Sequence, residues 1–303
     1  MMKVIKVSPR GYCKGVVRAI SIAKQSCIDY PDKPITVLGM LVHNEYVKKA
    51  LALKGIHTIE DANKNRLELL DEIHEGVVIF TAHGISDEVK KKAEEKGLIC
   101  IDASCPDVVK TQNLVRMHLQ NGEEVLYIGK KHHPEAEAVC TLSPHVHLIT
   151  NMTEIPKKLK KPIFVTNQTT MSIFDVEKIF QEIRLYYPHA HFSEEICNAT
   201  RIRQQAVANL KGKGVDLLYV VGDQHSNNSK RLAQIALEQG IPKVYRIDDV
   251  TGIRKEDLEG CQCVAVTSGA STPTYLTNQV IQVLENWEHR TSLPTIQVEH
   301  MID

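Results

Sequence analysis

Cys13, Cys105 and Cys197 fall at equal intervals, 92 residues from each to the next, and each stands just before a segment that reads as a helix. A cysteine at a helix N-terminus has its thiolate stabilised by the helix dipole, which favours metal ligation over a neutral thiol. Three thiolates gathered at one point carry a charge of about −3, and burying that charge requires a strongly cationic centre, so iron-sulfur or zinc is implied. The spacing separates the two. Structural zinc usually draws close pairs such as Cys-x-x-Cys, whereas three widely spaced single cysteines offer no chelating pair. A four-iron cluster held by three thiolates leaves one iron without a protein ligand, and an open metal position is where substrate binds.

The residues downstream of each cysteine keep the same step. A strand-like run ends at Gly39, Gly129 and Gly222, and a polar residue follows four places later: His43, His133 and Ser226. Each third closes with an apolar run feeding polar groups, Ile79-Phe80-Thr81-Ala82-His83-Gly84, Phe164-Val165-Thr166-Asn167-Gln168-Thr169-Thr170 and Ala265-Val266-Thr267-Ser268-Gly269-Ala270-Ser271. His43, His83 and His133 with Thr169, Ser226, Asn228 and Ser271 form a set of mainly neutral donors suited to the oxygens of a phosphate or diphosphate. Glu135, two residues after His133, is the best candidate proton donor. No Gly-x-x-x-x-Gly-Lys-Ser/Thr loop and no Gly-x-Gly-x-x-Gly after a strand is present, so neither an NTP nor a dinucleotide site is supported and reducing equivalents must come from elsewhere.

Such groups need elements to carry them. Apolar helical faces follow Cys13 up to Tyr30-Pro31, Cys105 up to Asn121-Gly122, and Cys197 up to Lys211-Gly212. The runs 35–38, 124–128 and 216–221 are short and apolar, as in buried parallel strands, whose carboxyl-end loops bind ligands. The repeat predicts three similar α/β lobes in a pseudo-threefold arrangement around a central site: 15–104, 106–196, and 198–285 with the N-terminal strand 1–14, followed by a tail 286–303.

Lysine plus arginine equals aspartate plus glutamate at 37 each, so no positive field draws in nucleic acid or anionic lipid. The N-terminus turns polar at once and no membrane-spanning apolar run occurs, which predicts a cytoplasmic protein with no membrane partner. Cys27, Cys100, Cys140, Cys261 and Cys263 stand off the repeat and read as small buried hydrophobes. His132 and His225 adjoin the motifs but miss the shared step, and the remaining histidines read as structural.

With these motifs set out, the chain resembles the 4-hydroxy-3-methylbut-2-enyl diphosphate reductase (LytB/IspH) family over nearly its whole length. The resemblance rests on Gly11-Tyr12-Cys13-Lys14-Gly15-Val16, Val42-His43-Asn44, Ala82-His83-Gly84, Asp102-Ala103-Ser104-Cys105-Pro106, His133-Pro134-Glu135, Gln168-Thr169-Thr170, Ile196-Cys197-Asn198-Ala199-Thr200, Ser226-Asn227-Asn228-Ser229 and Ser268-Gly269-Ala270-Ser271. It implies a trilobed α/β protein with a 4Fe-4S cluster on Cys13, Cys105 and Cys197, whose open iron takes the allylic hydroxyl of the substrate. It also implies that His43, His83, His133, Ser226, Asn228 and Ser271 hold the diphosphate. Thr169 and Glu135 then serve the hydroxyl and proton delivery, and geometry must choose between Thr169 and Thr170. The products would be isopentenyl and dimethylallyl diphosphate, and the electrons would come from ferredoxin or flavodoxin. Asn227 stands where many family members have a second serine; its amide still donates to a phosphate oxygen. Two other readings use the same residues. A zinc hydrolase lacks its usual ligand pairs here, and a non-catalytic iron-sulfur sensor of a phosphorylated metabolite has no need of Glu135.

Overall fold

The computed structural model describes residues 2–224, 226–289 and 292–303, so His225 lies outside the described residues. In chain order the elements are β1 (Lys3–Lys6), α1 (Lys14–Asp29), β2 (Ile35–Leu38), α2 (Glu45–Leu53), β3 (Ile56–Ile59), α3 (Arg66–Asp71), β4 (Val77–Phe80), α4 (Asp87–Glu95) and β5 (Ile99–Asp102). There follow α5 (Pro106–Gln120), β6 (Glu124–Ile128), α6 (Pro134–Cys140), β7 (Val146–Ile149), β8 (Ile163–Asn167), α7 (Ile173–Tyr186) and β9 (His191–Phe192). The last stretch holds α8 (Asn198–Ala208), β10 (Leu217–Val221), α9 (Asn227–Glu238), β11 (Lys243–Ile247), α10 (Lys255–Leu258), β12 (Cys263–Ser268) and α11 (Thr274–Glu285).

These strands form three four-stranded sheets of order β3-β2-β4-β5, β7-β6-β8-β9 and β11-β10-β12-β1. All pairings are parallel, for example Ile35↔Val77, Val125↔Phe164 and Ile5↔Ala265. The strand order is the same each time. The fourth place is taken by β5 and β9 in two sheets, and in the third by β1, from the start of the chain. The α/β class and the three lobes expected from the repeat are both present.

Why these runs become central strands is visible in β6. Its residues are buried on both faces: Leu126 and Ile128 pack with Val176, Ile179 and Phe180 of α7, while Val125 and Tyr127 pack with Val115 of α5 and Val139 of α6. A strand covered by helices on both sides is apolar along its length, and the one charged residue of β6, Glu124 at its start, is paired with His145 and His147. Each fully buried side chain of this kind is worth about 1.5–3 kcal/mol.

By internal packing the chain divides into two compact units. One comprises Met1–Val17, Val42–Lys54 and Asn198–Asp303, the other Arg18–Leu41 and Gly55–Cys197. The first contains the β11-β10-β12-β1 sheet and α2. Within it the short 3-10 turn Val298–Ile302 packs on α2 with Met301 and Ile302 buried, and Tyr12 donates its hydroxyl to the Met301 carbonyl. The second contains the other two sheets.

Of the five cysteines read as buried hydrophobes, only Cys263 is buried; Cys27, Cys100, Cys140 and Cys261 are half-buried. Cys100 lies on β5, the edge strand of its sheet among the described residues. Cys261 precedes β12 and sits in a turn, its Sγ 3.4 Å from the Asp257 carbonyl oxygen.

Candidate functional site

The shared step seen in the sequence is a step of hydrogen bonds. Gly39, Gly129 and Gly222, each just past a central strand, donate their N–H to the carbonyls of Ile59, Ile149 and Ile247, at 2.8, 3.1 and 2.8 Å. Two residues beyond the neighbouring strands β4, β8 and β12 stand Ala82, Thr169 and Ala270. Their carbonyls accept the amide hydrogens of Cys105, Cys197 and Cys13, at 2.9, 3.0 and 3.0 Å. Each cysteine is therefore fixed by its backbone to the loop at the carboxyl end of a strand, and each directly precedes a helix. Cys105 is itself the N-cap of α5, with Pro106 in the first turn, and its side chain makes no cap hydrogen bond to the helix.

In the second unit these anchors belong to one connected set. Thr169, whose carbonyl holds Cys197, donates its own N–H to Glu135 Oε1 at 2.7 Å and its hydroxyl to Oε2 at 2.9 Å. Tyr127 points its hydroxyl at the same Oε1, 3.4 Å away. The Glu135 N–H in turn donates to Nδ1 of His133, the N-cap of α6, at 3.2 Å. An Nδ1 that accepts is unprotonated, so the neutral His133 ring carries its hydrogen on Nε2. His83 and His133 meet edge to face with ring centroids 5.7 Å apart, and His83 is next in sequence to Ala82, which holds Cys105. Gln168 fixes the companion loop by accepting from the Lys130 N–H at 3.0 Å and donating to Thr170 Oγ1 at 2.9 Å. Thr169 is thus the threonine joined to Glu135, and Thr170 is joined to Gln168.

Glu135 is 1% exposed. Burial raises its pKa from 4.5 to about 7, against the opposing pull of the two Thr169 bonds and of Tyr127. Burial also pushes the Tyr127 phenol well up, so it stays a neutral donor.

In the first unit the Cys13 anchor carries a matching set. Ser271, next to Ala270, donates its hydroxyl to the His43 carbonyl at 3.0 Å. Asn44, not His43, caps α2, accepting from the Val47 N–H at 3.2 Å. Ser226 caps α9 through the Ser229 N–H at 3.3 Å, and Asn227 and Asn228 open that helix. Asn228 is buried, and neither its amide nitrogen nor its oxygen has a hydrogen-bond partner among the described residues; the same holds for Ser229 Oγ. Unpartnered polar atoms at the positive end of a helix suit an oxyanion. Gly11, two residues before Cys13, receives Arg203 Nη2 on its carbonyl at 2.7 Å and donates its N–H to Ser268 Oγ at 2.7 Å. Its φ is +76°, and an added Cβ would stand 2.2 Å from Thr274 Oγ1.

The donor set fits an iron-sulfur cluster: three thiols, each at a helix N-terminus, each with its backbone secured. Among the described residues no three Cys, His, Asp or Glu side chains close on a single ion. A cluster asks for no such triad, since each thiolate binds a different iron.

Sequence reasoning missed Tyr127, which reads as core, the backbone anchors Ala82 and Ala270, and the anchoring role of the carbonyl of Thr169, a residue it had singled out for its hydroxyl. A signal for the anchors was available, because they share one offset from the strand ends. No sequence signal joins Thr169 to Glu135, 34 residues apart, until β6 and β8 are set side by side with Ile128↔Asn167.

The family model described as LytB protein matches residues 4–285. A 4-hydroxy-3-methylbut-2-enyl diphosphate reductase of Bacillus licheniformis is 49% identical over 292 residues, covering 95% of this chain and 92% of the relative. One of Bacillus subtilis is 48% identical, covering 99% and 96%. The solved structure of the E-1-hydroxy-2-methyl-but-2-enyl-4-diphosphate reductase from Plasmodium falciparum superposes with a TM-score of 0.87 at 30% identity, over 99% of this chain and 96% of that one. Full-length identity near one half, the family match and the shared architecture all lead to one assignment: the chain belongs to the LytB family.

Proposed function

We propose that this protein reduces 4-hydroxy-3-methylbut-2-enyl diphosphate to isopentenyl and dimethylallyl diphosphate, the last step of the non-mevalonate route to isoprenoids. The names of its full-length relatives support the substrate. The observation that carries the chemistry is the Glu135–Thr169 pair, a buried carboxyl that holds its proton near neutral pH and is bonded to a hydroxyl whose own backbone holds a cysteine.

The reaction removes a hydroxyl: the allylic C–O bond breaks, the oxygen leaves as water, and two electrons and two protons are taken up. When Glu135 is protonated at Oε2 it becomes the donor in its bond to Thr169 Oγ1. The threonine hydrogen is then free to turn towards the substrate hydroxyl, and a proton passes through Thr169 Oγ1. Cys13, Cys105 and Cys197 would hold a 4Fe-4S cluster, which would supply electrons and a Lewis-acidic iron when bound. His43, His83 and His133 with Ser226, Asn227, Asn228 and Ser271 bind the diphosphate. The Nε2–H of His133 and the unpartnered amide of Asn228 support that assignment. Ser271 must turn its hydroxyl away from the His43 carbonyl to donate to a phosphate oxygen. The lobes are 15–104, 106–196 and 198–285, the last completed by the N-terminal strand, with 286–303 as a tail. Ferredoxin or flavodoxin delivers single electrons, in keeping with the missing nicotinamide fingerprint. The site of action is the cytoplasm, in keeping with the finding that no helix of the described residues is long and apolar enough to cross a membrane.

The test is anaerobic purification with iron and sulfide analysis, followed by turnover with a reduced one-electron dye. About four irons per chain, lost on changing any of Cys13, Cys105 or Cys197 to Ser, and formation of both five-carbon diphosphates are expected. Cluster-loaded protein that forms no product would defeat the proposal.

A further inference from the structure

His83 stands in the loop from Thr81 to Gly84, and that loop is held by a residue with no assigned role. Arg66 is the first residue of α3, whose start is fixed by a capping box: Asn65 Oδ1 accepts from the Leu67 and Glu68 N–H groups at 2.9 and 3.0 Å, and Glu68 Oε2 accepts from the Asn65 N–H at 2.7 Å. The side chain turns back over the end of β2, where a Cβ added to Gly39 would lie 3.4 Å from Arg66 Nη2. The guanidinium spans both ends of the His83 loop. Nη2 donates to Thr81 Oγ1 at 3.0 Å and Nη1 to the Gly84 carbonyl at 3.2 Å. Between those points the Ala82 carbonyl is taken by the Cys105 N–H. A planar fork with fixed donor spacing suits such a bridge; a point-charge ammonium does not.

The charge has a second consequence. Burial lowers the Arg66 pKa to about 10, which still leaves it ionised at neutral pH, and Glu137 and Glu60 oppose that shift only through their field. Both of its hydrogen-bond acceptors among the described residues are neutral groups. A half-buried cation whose hydrogen-bond acceptors are both neutral complements an anion bound nearby.

We propose that Arg66 is the positioning residue of His83, and that it thereby sets how tightly this protein holds the diphosphate of its substrate; this rests on the reading of the site given above. Arg66 does not touch the substrate. It fixes the loop from which His83 does.

A groove of about 240 Å³ opens along Arg66, Gly84 and Pro134, the last two next in sequence to His83 and His133, with Glu88 and Glu137 on its walls. It gives small cations a route to the place the guanidinium occupies, and this defines the experiment. In cluster-loaded Arg66→Ala, KM for the substrate rises by about tenfold or more, the loss of a charged hydrogen-bonded bridge, while kcat falls by less. Calorimetric affinity for inorganic diphosphate drops by a similar factor. Low-millimolar guanidinium chloride recovers both, and equal urea or potassium chloride does not. Arg66→Lys falls between the alanine variant and the native protein. Thr81→Val, which removes one acceptor and keeps the charge, weakens diphosphate binding to a smaller extent and serves if the alanine variant does not fold. Unchanged KM and diphosphate affinity in the folded variants would overturn the proposal, as would losses that follow cluster content and ignore guanidinium. Failure of the native protein to turn over substrate would strike the reductase reading instead, because the difference in inorganic diphosphate binding between native and variant is measured without turnover.

Discussion

At Glu135 desolvation opposes three hydrogen bonds, and desolvation wins. The folded chain keeps this proton in a pH range where the unfolded chain, with a pKa of 4.5, has already lost it. Its contribution to stability is therefore complete below pH 4.5 and is lost as the pH rises through about 7. The role proposed for Glu135, proton donor, requires its protonated form, so kcat/KM should fall above a pKa of about 7 in the free enzyme. Glu135→Gln should lower kcat by about 10²–10⁴ while leaving substrate affinity within a few-fold, a split that steady-state kinetics and equilibrium binding resolve. A variant retaining full kcat would remove Glu135 from the proton path. His132 precedes this cluster at φ +60°, the one non-glycine with positive φ among the described residues. That conformation costs about 1–3 kcal/mol for most side chains. His132→Val should lose at least about 1 kcal/mol on denaturant titration, and His132→Gly should be neutral or stabilising. The His133 and Glu135 pair was legible in the sequence because both lie on one short segment. The Tyr127 contact was not, since a tyrosine in an apolar run carries no mark of where its hydroxyl ends.

The elements place these groups by a repeated device: a strand ends, a loop turns, and its carbonyl takes the amide of the residue before a helix. Close approach is what the device demands, and it explains two glycines of the motifs. Gly84 packs on α5, where an added Cβ would stand 2.8 Å from Val108 Cγ1, and Gly11 packs on Thr274 at the start of α11. Gly11→Ala should reduce both stability and iron content. A second change, Thr274→Ser, should restore little, because it keeps Oγ1 in place and the positive φ persists. Melting curves and iron analysis of the single and double variants test this, and full recovery in the double variant would locate the problem elsewhere. The three helices after the cysteines and their central strands were legible from period and stop signals; Asp216 alone fell outside its strand, its carboxylate accepting from the Gln262 and Cys263 N–H groups. The offset of α2 was not legible. There the four-residue step lands on His43, but Asn44 is the better cap and takes that place.

On the scale of the whole molecule the repeat of 92 residues is a repeat of sheets, and the chain start completes the third. Self-similarity made three lobes legible. It did not reveal that packing would assign the segment Val42–Lys54, inserted between β2 and β3, to the unit built from the two ends of the chain, because tertiary contacts of α2 with the C-terminal turn decide that. The backbone bonds of Cys13, Cys105 and Cys197 are made by the polypeptide alone. Removing the proposed cluster with a chelator should thus leave the far-UV circular dichroism unchanged, and iron, sulfide and thiol should rebuild it without denaturant. A requirement for unfolding before reconstitution would contradict this. For the proposed cluster the same three bonds predict an order of biogenesis: the chain folds first, and iron and sulfide are delivered to a folded protein.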